Sequence, residues 1–297
     1  MNPRATGYLY CAVAMITVGS TVVASKIIAA GLPPFTATAL RFAVAFPIFV
    51  VLMRMTRTQW PAPERRDGLL LLLQAGAGSV GYTVLLISGV ALASAADAGI
   101  VAGTLPAVAA AIAVLALGER PDRGLLAAVA LATAGVLVIV LRFDGVGVSL
   151  SWRALLGNAL VFAAVVCEAI FILLNKKLRI PVAPLPLSAT MSGIGLVLAL
   201  LPALFEHPWT LGIDAGALLA VLYYALVPTV GGFLLWYAGS ARISGTEAAL
   251  FTALLPVSAV ALSALVLHET IGAAQLIGIA CVLGAIVIAA TGGRKAA

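Results

Sequence analysis

Ionisable side chains lie inside long apolar stretches of this sequence, where a charge is costly and marks a functional site or a specific pairing. Glu168 lies deep in the sixth such stretch, on a predicted helical face with Asn158, Phe162, Val165 and Asn175. A polar and aromatic stripe should face protein or water. We interpret Glu168 as a cavity acid that binds a substrate amine or a proton. The alternative is a structural glutamate that is protonated or hydrogen-bonded.

Two lysine–acid pairs recur with the same separation along the chain. Lys26 precedes Asp97 by 71 residues, and Lys176 precedes Glu247 by 71 residues. We expect two pseudo-symmetric gating ion pairs, each closing one face of a cavity in one state. The alternatives are acids placed in the first turn of a helix, where they favour the helix dipole, and lysines that extend to the membrane interface.

Other charged residues favour structural roles. Arg41 lies about six residues into the second apolar stretch, where we expect it to pair with Asp97 or to meet an anionic group. Glu119 and Glu269 precede the fifth and tenth stretches and are expected to cap those helices. We therefore leave these two glutamates out of the site.

Aromatic residues at mid-membrane depth extend the candidate binding site. Tyr82 shares a predicted face with Gln74 and Gly78, while Trp236 and Tyr224 lie in the corresponding helix of the second half. Their rings suit stacking or cation–π contact with a ligand. Ordinary packing between helices explains the same pattern equally well.

Proline and glycine are expected to bend the helices. Pro106 and Pro256 each remove a helical hydrogen bond near mid-span. Gly81 and Gly231 lie in glycine-rich segments that we expect to face each other at close range. These four residues form a predicted hinge set; the alternative is static kinks without motion.

The elements that carry these residues are predicted membrane helices. The chain of 297 residues is 63% hydrophobic and 9% charged, far below the charge of soluble proteins. Ten apolar stretches are each long enough to cross a bilayer. They cover about 7–30, 35–54, 67–92, 95–117, 122–141, 153–175, 184–205, 214–241, 246–267 and 271–291. We therefore predict an all-α membrane protein with ten transmembrane helices.

Basic residues predict the orientation of these helices. With the N-terminus inside, only Arg142 and Arg153 fall in outer loops. Thirteen fall in inner segments: Arg4, Arg54, Arg57, Arg65, Arg66, Arg120, Arg123, Lys176, Lys177, Arg179, Arg242, Arg294 and Lys295. This bias predicts a bacterial-type inner membrane protein with both termini cytoplasmic.

A constant offset of 150 residues indicates an internal repeat. It relates Ser79-Val80-Gly81 to Thr229-Val230-Gly231, Leu105-Pro106 to Leu255-Pro256, and Glu119 to Glu269. We place the first repeat at 1–147 and the second at 152–297. Five helices per repeat invert the second half across the membrane, an architecture typical of secondary transporters with a site at the repeat interface.

Several function classes are not supported by the sequence. The motif GxxxxGK[ST] is absent, so direct use of ATP is not expected. Cys11, Cys167 and Cys281 are scattered within apolar stretches, and His207 and His268 lack partners at metal-ligand spacing. The net charge of +6 comes from short loops rather than a basic patch, so we expect no nucleic-acid partner, no metal and no cofactor.

Local motifs resemble the drug/metabolite transporter superfamily in its ten-helix form with two EamA-type repeats. They are Ala39-Leu40-Arg41-Phe42, Leu105-Pro106 with Leu117-Gly118-Glu119, and Leu255-Pro256 with Leu267-His268-Glu269. Gly135, Gly278 and Gly284 lie in the glycine-rich helices that follow the latter two motifs. Met191 and His268 depart from the pattern, since they stand where Arg41 and Gly118 would map. Symmetric roles at those positions are therefore in doubt.

The resemblance implies a cavity lined by helices one, three, four, six, eight and nine, with helices five and ten at the periphery, where they would support a dimer. A homodimer and a monomer are both compatible with the sequence. The chain is similar to bacterial exporters of amino acids, including aromatic amino acids. We expect a non-enzymatic exporter of small organic metabolites that works by alternating access. The alternatives are an exporter of drugs, sugars or nucleotide precursors, and a non-transporting sensor or intramembrane enzyme.

Overall fold

The structure is a computed structural model that describes residues 3–117, 123–141, 151–210, 212 and 214–292. The first half contains α1 (Pro3–Gly31), α2 (Pro34–Met55), α3 (Arg65–Gln74), α4 (Tyr82–Leu92), α5 (Ala95–Ala102), α6 (Leu105–Leu117) and α7 (Arg123–Val140). The second half contains α8 (Trp152–Lys176), α9 (Pro184–Phe205), α10 (Ala215–Tyr224), α11 (Phe233–Ser240), α12 (Gly245–Phe251), α13 (Leu254–Val266) and α14 (Ala273–Gly292). A short 3₁₀ turn, Pro208–Thr210, follows α9.

These helices form ten segments at the predicted places. Seven helical units are long and apolar enough to cross a membrane, and α5 with α6 forms an eighth that is bent by 42°. The last two segments contain shorter apolar helices over Leu254–Val266 and Ala273–Ile288. The predicted all-α membrane fold is therefore confirmed.

Contacts between the halves follow a pseudo-twofold pattern. α2 packs on its repeat counterpart α9, and α7 packs on its counterpart α14. α1 packs on α10 and α11, while its counterpart α8 packs on α3 and α4. Because each half has five segments, the second half runs through the bundle in the opposite sense to the first. Below, the end of the bundle at Gly31 is called the outer end and the end at Pro3 the inner end, after the predicted orientation.

The two motif prolines begin helices rather than bend continuous ones. Pro106 is the second residue of α6, and Pro256 is the third residue of α13. Proline is well tolerated there because the first turn of a helix leaves its N–H groups without intrahelical partners. The predicted bends are therefore complete breaks that divide each span into two short helices.

Two π-helical segments occupy repeat-equivalent positions. Ala75–Gly81 joins α3 to α4, and Ala225–Gly232 joins α10 to α11. In the second segment, the Thr229 hydroxyl donates to the carbonyl of Tyr224 at 2.8 Å. Each segment widens the helix at mid-span without ending it. Such distortions cost regular hydrogen bonds and often occur at functional sites.

Paired glycines allow the halves to approach closely. Gly89 of α4 lies against Gly157 of α8, and the repeat-equivalent Gly239 of α11 lies against Gly7 of α1. A Cβ atom on Gly157 would come within 2.6 Å of the Ala93 nitrogen and 2.7 Å of the Gly89 carbonyl oxygen. These contacts are backbone to backbone, so side-chain rotation cannot relieve them.

We predict that Gly157→Ala and Gly68→Ala will shift thermal stability in opposite directions. Gly157→Ala forces two helices apart and should cost about 1–3 kcal/mol. Gly68 in α3 has only Pro63 Cγ nearby, at 3.8 Å from an added Cβ, so alanine there should stabilise by up to about 1 kcal/mol. Thermal unfolding of both variants in detergent measures this, and a shift of the same sign in both would contradict it.

Candidate functional site

A cavity of about 350 Å³ lies between the two halves and extends from mid-span toward the inner end. We call it the central cavity. Its walls come from α1, α2, α4, α8, α9, α10, α11 and both π-helical segments. The lining side chains include Met15, Val18, Thr21, Arg41, Phe42, Phe49, Ser79, Tyr82, Glu168, Phe171, Leu187, Ser188, Met191, Ser192, Tyr224, Thr229, Phe233, Trp236 and Tyr237.

Glu168 and Arg41 are the two charged residues in this lining. They attract each other across the cavity, but no direct ion pair joins these two described residues. Arg41 is 8% exposed. Its guanidinium carbon lies 4.3 Å from the centre of the Phe42 ring and 4.6 Å from that of Tyr224. Arg41 therefore contributes to the cavity and does not pair with Asp97.

Three predicted aromatic residues also line the cavity. Tyr82 begins α4 directly after the first π-helical segment, and Tyr224 ends α10 directly before the second. Trp236 lies one turn into α11. The helix distortions thus place aromatic rings from both repeats around Glu168 and Arg41.

Two members of the predicted stripe on α8 turn away from the central cavity. Asn158 and Phe162 line a separate groove of about 610 Å³ between α6, α7 and α8. Phe162 is 43% exposed, whereas Asn158 is buried. Steps of three and four residues drift around a straight helix, so Phe162 lies roughly 120° from Glu168. The prediction that both residues share the site with Glu168 is therefore wrong in geometry.

The cavity walls also differ from those implied by the family resemblance. Helices two and seven contribute, through residues such as Phe49 of α2 and Ser188 of α9, while the fourth and ninth segments are absent from the described lining. Gln74 is fully buried and donates to the carbonyl of Phe171 at 3.3 Å, so it packs behind the wall. The signal missed in the sequence was the pair Ser188 and Ser192, one turn apart on α9.

Lys26, near the outer end, binds backbone carbonyls and forms no ion pair within the described residues. Its ammonium group donates to the carbonyl oxygens of Val90 and Ala93, at 2.6 and 2.7 Å. These carbonyls lie at the C-terminal end of α4, where the helix leaves acceptors unused and carries partial negative charge. The predicted Lys26–Asp97 ion pair is not formed.

Asp97 and Glu247 stabilise the first turns of their helices. Asp97 is fully buried, and its carboxylate accepts a hydrogen bond from the Gln275 amide at 2.9 Å. Its backbone N–H donates to the hydroxyl of Ser94, the N-cap of α5, at 3.0 Å. Glu247 accepts from the backbone N–H and hydroxyl of Ser244, both at 2.8 Å, in a capping box. It also accepts from Tyr8 at 2.6 Å. The alternative interpretation of both acids fits these contacts.

Lys176, the repeat counterpart of Lys26, is exposed instead of bound to backbone carbonyls. It is exposed at the inner end, and no hydrogen bond or ion pair of its ammonium group is formed within the described part of the chain. The Lys176–Glu247 pair is therefore absent as well. α1 packs on α4 at the outer end, whereas the equivalent helices α8 and α11 make no comparable contact.

The glycine segments around Gly81 and Gly231 do not face each other as predicted. Gly78 approaches Phe171 of α8, and Gly81 lies beside Cys167 of the same helix. In the second π-helical segment, Gly232 approaches Thr17 of α1, while Gly231 has only its own helix nearby. Each segment thus packs on the opposite repeat.

Glu269 caps a different helix from the one predicted. Its carboxylate accepts the backbone N–H groups of Ala95 and Ala96, at 2.8 and 2.9 Å, at the start of α5. An anion at that position satisfies unpaired donors and the helix dipole. Glu269 therefore links the two repeats instead of starting α14. Glu119 lies outside the described residues.

Comparisons with known proteins agree with this architecture. The model of the EamA-like transporter family matches residues 5–141 and again residues 155–291. An uncharacterised transporter of Bacillus subtilis, YetK, is 34% identical over 284 residues, which cover 95% of this chain and 86% of that protein.

Two further similarities are weaker. A Salmonella typhimurium protein named as a probable amino-acid metabolite efflux pump is 29% identical over 195 residues, covering 62% of this chain and 63% of that one. A protein of known crystal structure, 21% identical, superposes with a TM-score of 0.65 over 99% of each chain. The latter likeness concerns the fold alone.

We predict that water reaches the central cavity but not the groove beside α7. In a background without cysteine, Ser188→Cys should react with a charged, membrane-impermeant thiol reagent added from the inner end. Thr133→Cys, on the exposed groove face of α7, should react much more slowly because lipid covers that face. Labelling rates measured by mass spectrometry decide this, and equal rates would contradict the cavity assignment.

Proposed function

This chain belongs to the EamA-like transporter family, and we propose that it exports small organic metabolites, most specifically amino acids, by alternating access. Neutral and aromatic amino acids are the narrower proposal. The export is proposed to run across a bacterial-type inner membrane, with both termini cytoplasmic. No cofactor enters the proposal.

The observation that carries the proposal is the composition of the central cavity. One carboxylate, Glu168, and one guanidinium, Arg41, line a hollow whose other walls are mainly apolar and aromatic, with Tyr82, Tyr224 and Trp236 among them. A carboxylate in such a place attracts a substrate ammonium, and aromatic rings accept an apolar side chain or a cation. The similarity to a probable amino-acid metabolite efflux pump supports the same substrate class.

Alternating access is supported by the different states of the two repeats. The outer half is packed solidly around residues such as Val22, Leu86 and Val161, whereas the cavity reaches the inner end. Two similar halves of opposite orientation can exchange these states at small energetic cost. In the opposite state, Lys176 would bind the carbonyls of Ser240 and Ile243, the repeat equivalents of Val90 and Ala93.

We expect Glu168→Gln to reduce amino acid transport by about tenfold to a hundredfold, because a charge-assisted hydrogen bond to the ammonium is lost. The assay is uptake of labelled phenylalanine, leucine and threonine into proteoliposomes, with and without an imposed proton gradient. Glu64→Gln is the matched control, since Glu64 is an exposed residue that pairs with Arg179 outside the cavity.

The same assay can contradict the proposal. If no labelled amino acid moves and a wider panel of sugars, drugs and nucleotide precursors also fails, the transporter proposal loses its support. Movement of sugars alone would favour the alternative substrate class. Equal losses in both glutamate variants would remove Glu168 from the site.

Neutralising the two lysines should shift the conformational equilibrium in opposite directions. Lys26→Gln removes two hydrogen bonds that exist only with the outer end closed, so the outer-open population should rise about tenfold. Lys176→Gln should deplete the outer-open state, because Lys176 is proposed to be bound only there. If the two substitutions only damaged the structure, both would lower thermal stability, and the outer-open population would not shift in opposite directions.

Spin-label distances provide the measurement. Labels at exposed Ala30 and Ala91 report the outer end, and labels at exposed Ile180 and Ala241 report the inner end. The two label pairs are repeat equivalents, so each serves as the control for the other. Unchanged distance distributions in Lys26→Gln would end the gating role of this lysine.

A further inference from the structure

Arg41 is a buried cation whose hydrogen-bonding capacity is mostly unused. Within the described residues, its guanidinium makes a long hydrogen bond, 3.4 Å from Nη2 to the carbonyl of Ser79, and the Tyr224 hydroxyl lies close enough to interact with it. Nε is buried and has no partner. A guanidinium has five N–H donors, and buried donors without acceptors are costly. These two neighbours leave most of its donors, Nε among them, without an acceptor in the described part of the chain.

The positive charge of Arg41 also lacks a carboxylate in direct contact within the described residues. A buried cation is usually paired with a carboxylate at hydrogen-bond distance. Here the other charged group in the described lining is Glu168, which attracts Arg41 without touching it. The two opposite charges thus border one cavity and leave room between them.

Ring contacts fix how Arg41 can be used. The centres of the Phe42 and Tyr224 rings lie 4.3 and 4.6 Å from the guanidinium carbon, so two aromatic side chains pack against this group. The N–H groups point outward in the plane of the guanidinium, which is the geometry that binds a carboxylate by two parallel hydrogen bonds. Packing against these two rings also restricts rotation of the long side chain. Arg41 is therefore oriented before any ligand arrives.

This cation breaks the symmetry of the repeats. Met191, the repeat equivalent of Arg41, lines the same cavity from α9 without a charge. Likewise, Glu168 corresponds to Val18 of α1, which also lines the cavity. One positive and one negative group, each present once, give the cavity a fixed polarity.

We propose that Arg41 binds the carboxylate of a zwitterionic substrate while Glu168 binds its ammonium group. This inference rests on the proposed export of small metabolites and narrows it to solutes that carry both charges. The side chain of the substrate then lies among the rings of Tyr82, Phe171 and Trp236. A solute that lacks either charge leaves one charged group of the cavity unpaired and is rejected for that reason.

Three solutes with one ring but different charges test the proposal in proteoliposomes. They are phenylalanine, phenethylamine, which lacks the carboxylate, and 3-phenylpropionate, which lacks the ammonium. Wild-type protein should prefer phenylalanine over both by at least about tenfold. Arg41→Gln should lower phenylalanine transport by about tenfold to a hundredfold and reverse its preference over phenethylamine. Glu168→Gln should instead improve the relative transport of 3-phenylpropionate.

Further variants separate recognition from folding. Arg41→Lys keeps the charge but loses the planar fork, so it should raise KM for phenylalanine more than it lowers the maximal rate. Arg66→Gln removes a half-exposed positive charge outside the cavity and should leave the preference unchanged. If Arg41→Gln fails to fold, the preference of the wild-type protein and the KM effect of Arg41→Lys still decide.

The outcomes distinguish this inference from the proposed function. Wild-type transport of phenylalanine and phenethylamine at equal rates, or an Arg41→Gln protein with unchanged preference, would overturn the role of Arg41 and leave transport intact. Transport of uncharged solutes with none of the amino acids would also overturn it. Failure of every solute would instead contradict the proposed function itself.

Discussion

A charged side chain within the hydrocarbon must be paired or hydrogen-bonded by another part of the protein, because no water is there to solvate it. The partners of four such side chains explain how the helices of this molecule are arranged. Lys26 is satisfied by the carbonyls at the end of α4, and that contact joins α1 to α4 near the outer end. Glu269 is satisfied by the start of α5, and that contact joins the repeats. Arg41 and Glu168 are not satisfied by each other, and the cavity lies between them.

Backbone groups at helix ends supply hydrogen-bond partners for two of these charged side chains, Lys26 and Glu269. A helix leaves donors at its start and acceptors at its end, so a short helix inside a membrane protein provides ligands for charged side chains. The break between α5 and α6 and the termination of α4 therefore have a use beyond bending the chain. A carboxylate bound to the N–H groups at a helix start, and a lysine bound to the carbonyls at a helix end, are both favourable contacts. Here each of them connects one helix to another.

The repeated features determine how the two halves pack, whereas the charged residues of the cavity occur in only one repeat each. Glycine pairs and π-helical segments recur at equivalent places, so both halves can pack closely and widen at mid-span. Arg41 and Glu168 have no charged equivalents, at Met191 and Val18 respectively. An approximately symmetric scaffold can exchange two conformations, while an asymmetric pair of charges can hold a ligand in one orientation.

Much of the fold could be predicted from the sequence. Apolar length specifies a membrane helix directly, since an unsatisfied backbone in lipid permits little else. The all-α membrane fold was predicted on this ground, and the family was predicted from local motifs. The offset of 150 residues also anticipated that the glycines and motif prolines would occupy equivalent places. The repeat boundaries at 147 and 152, the orientation and the possible dimer stay predictions.

Only the tertiary structure decided which polar side chains meet. Asn158 and Phe162 appeared to share a face with Glu168, but a small drift per turn carried them into another groove. The acids expected to receive the lysines have other partners: the Glu247 carboxylate caps its own helix, and the Asp97 carboxylate accepts from the Gln275 amide. Partner choice depends on how helices cross and where they end, and spacing along one helix contains neither quantity.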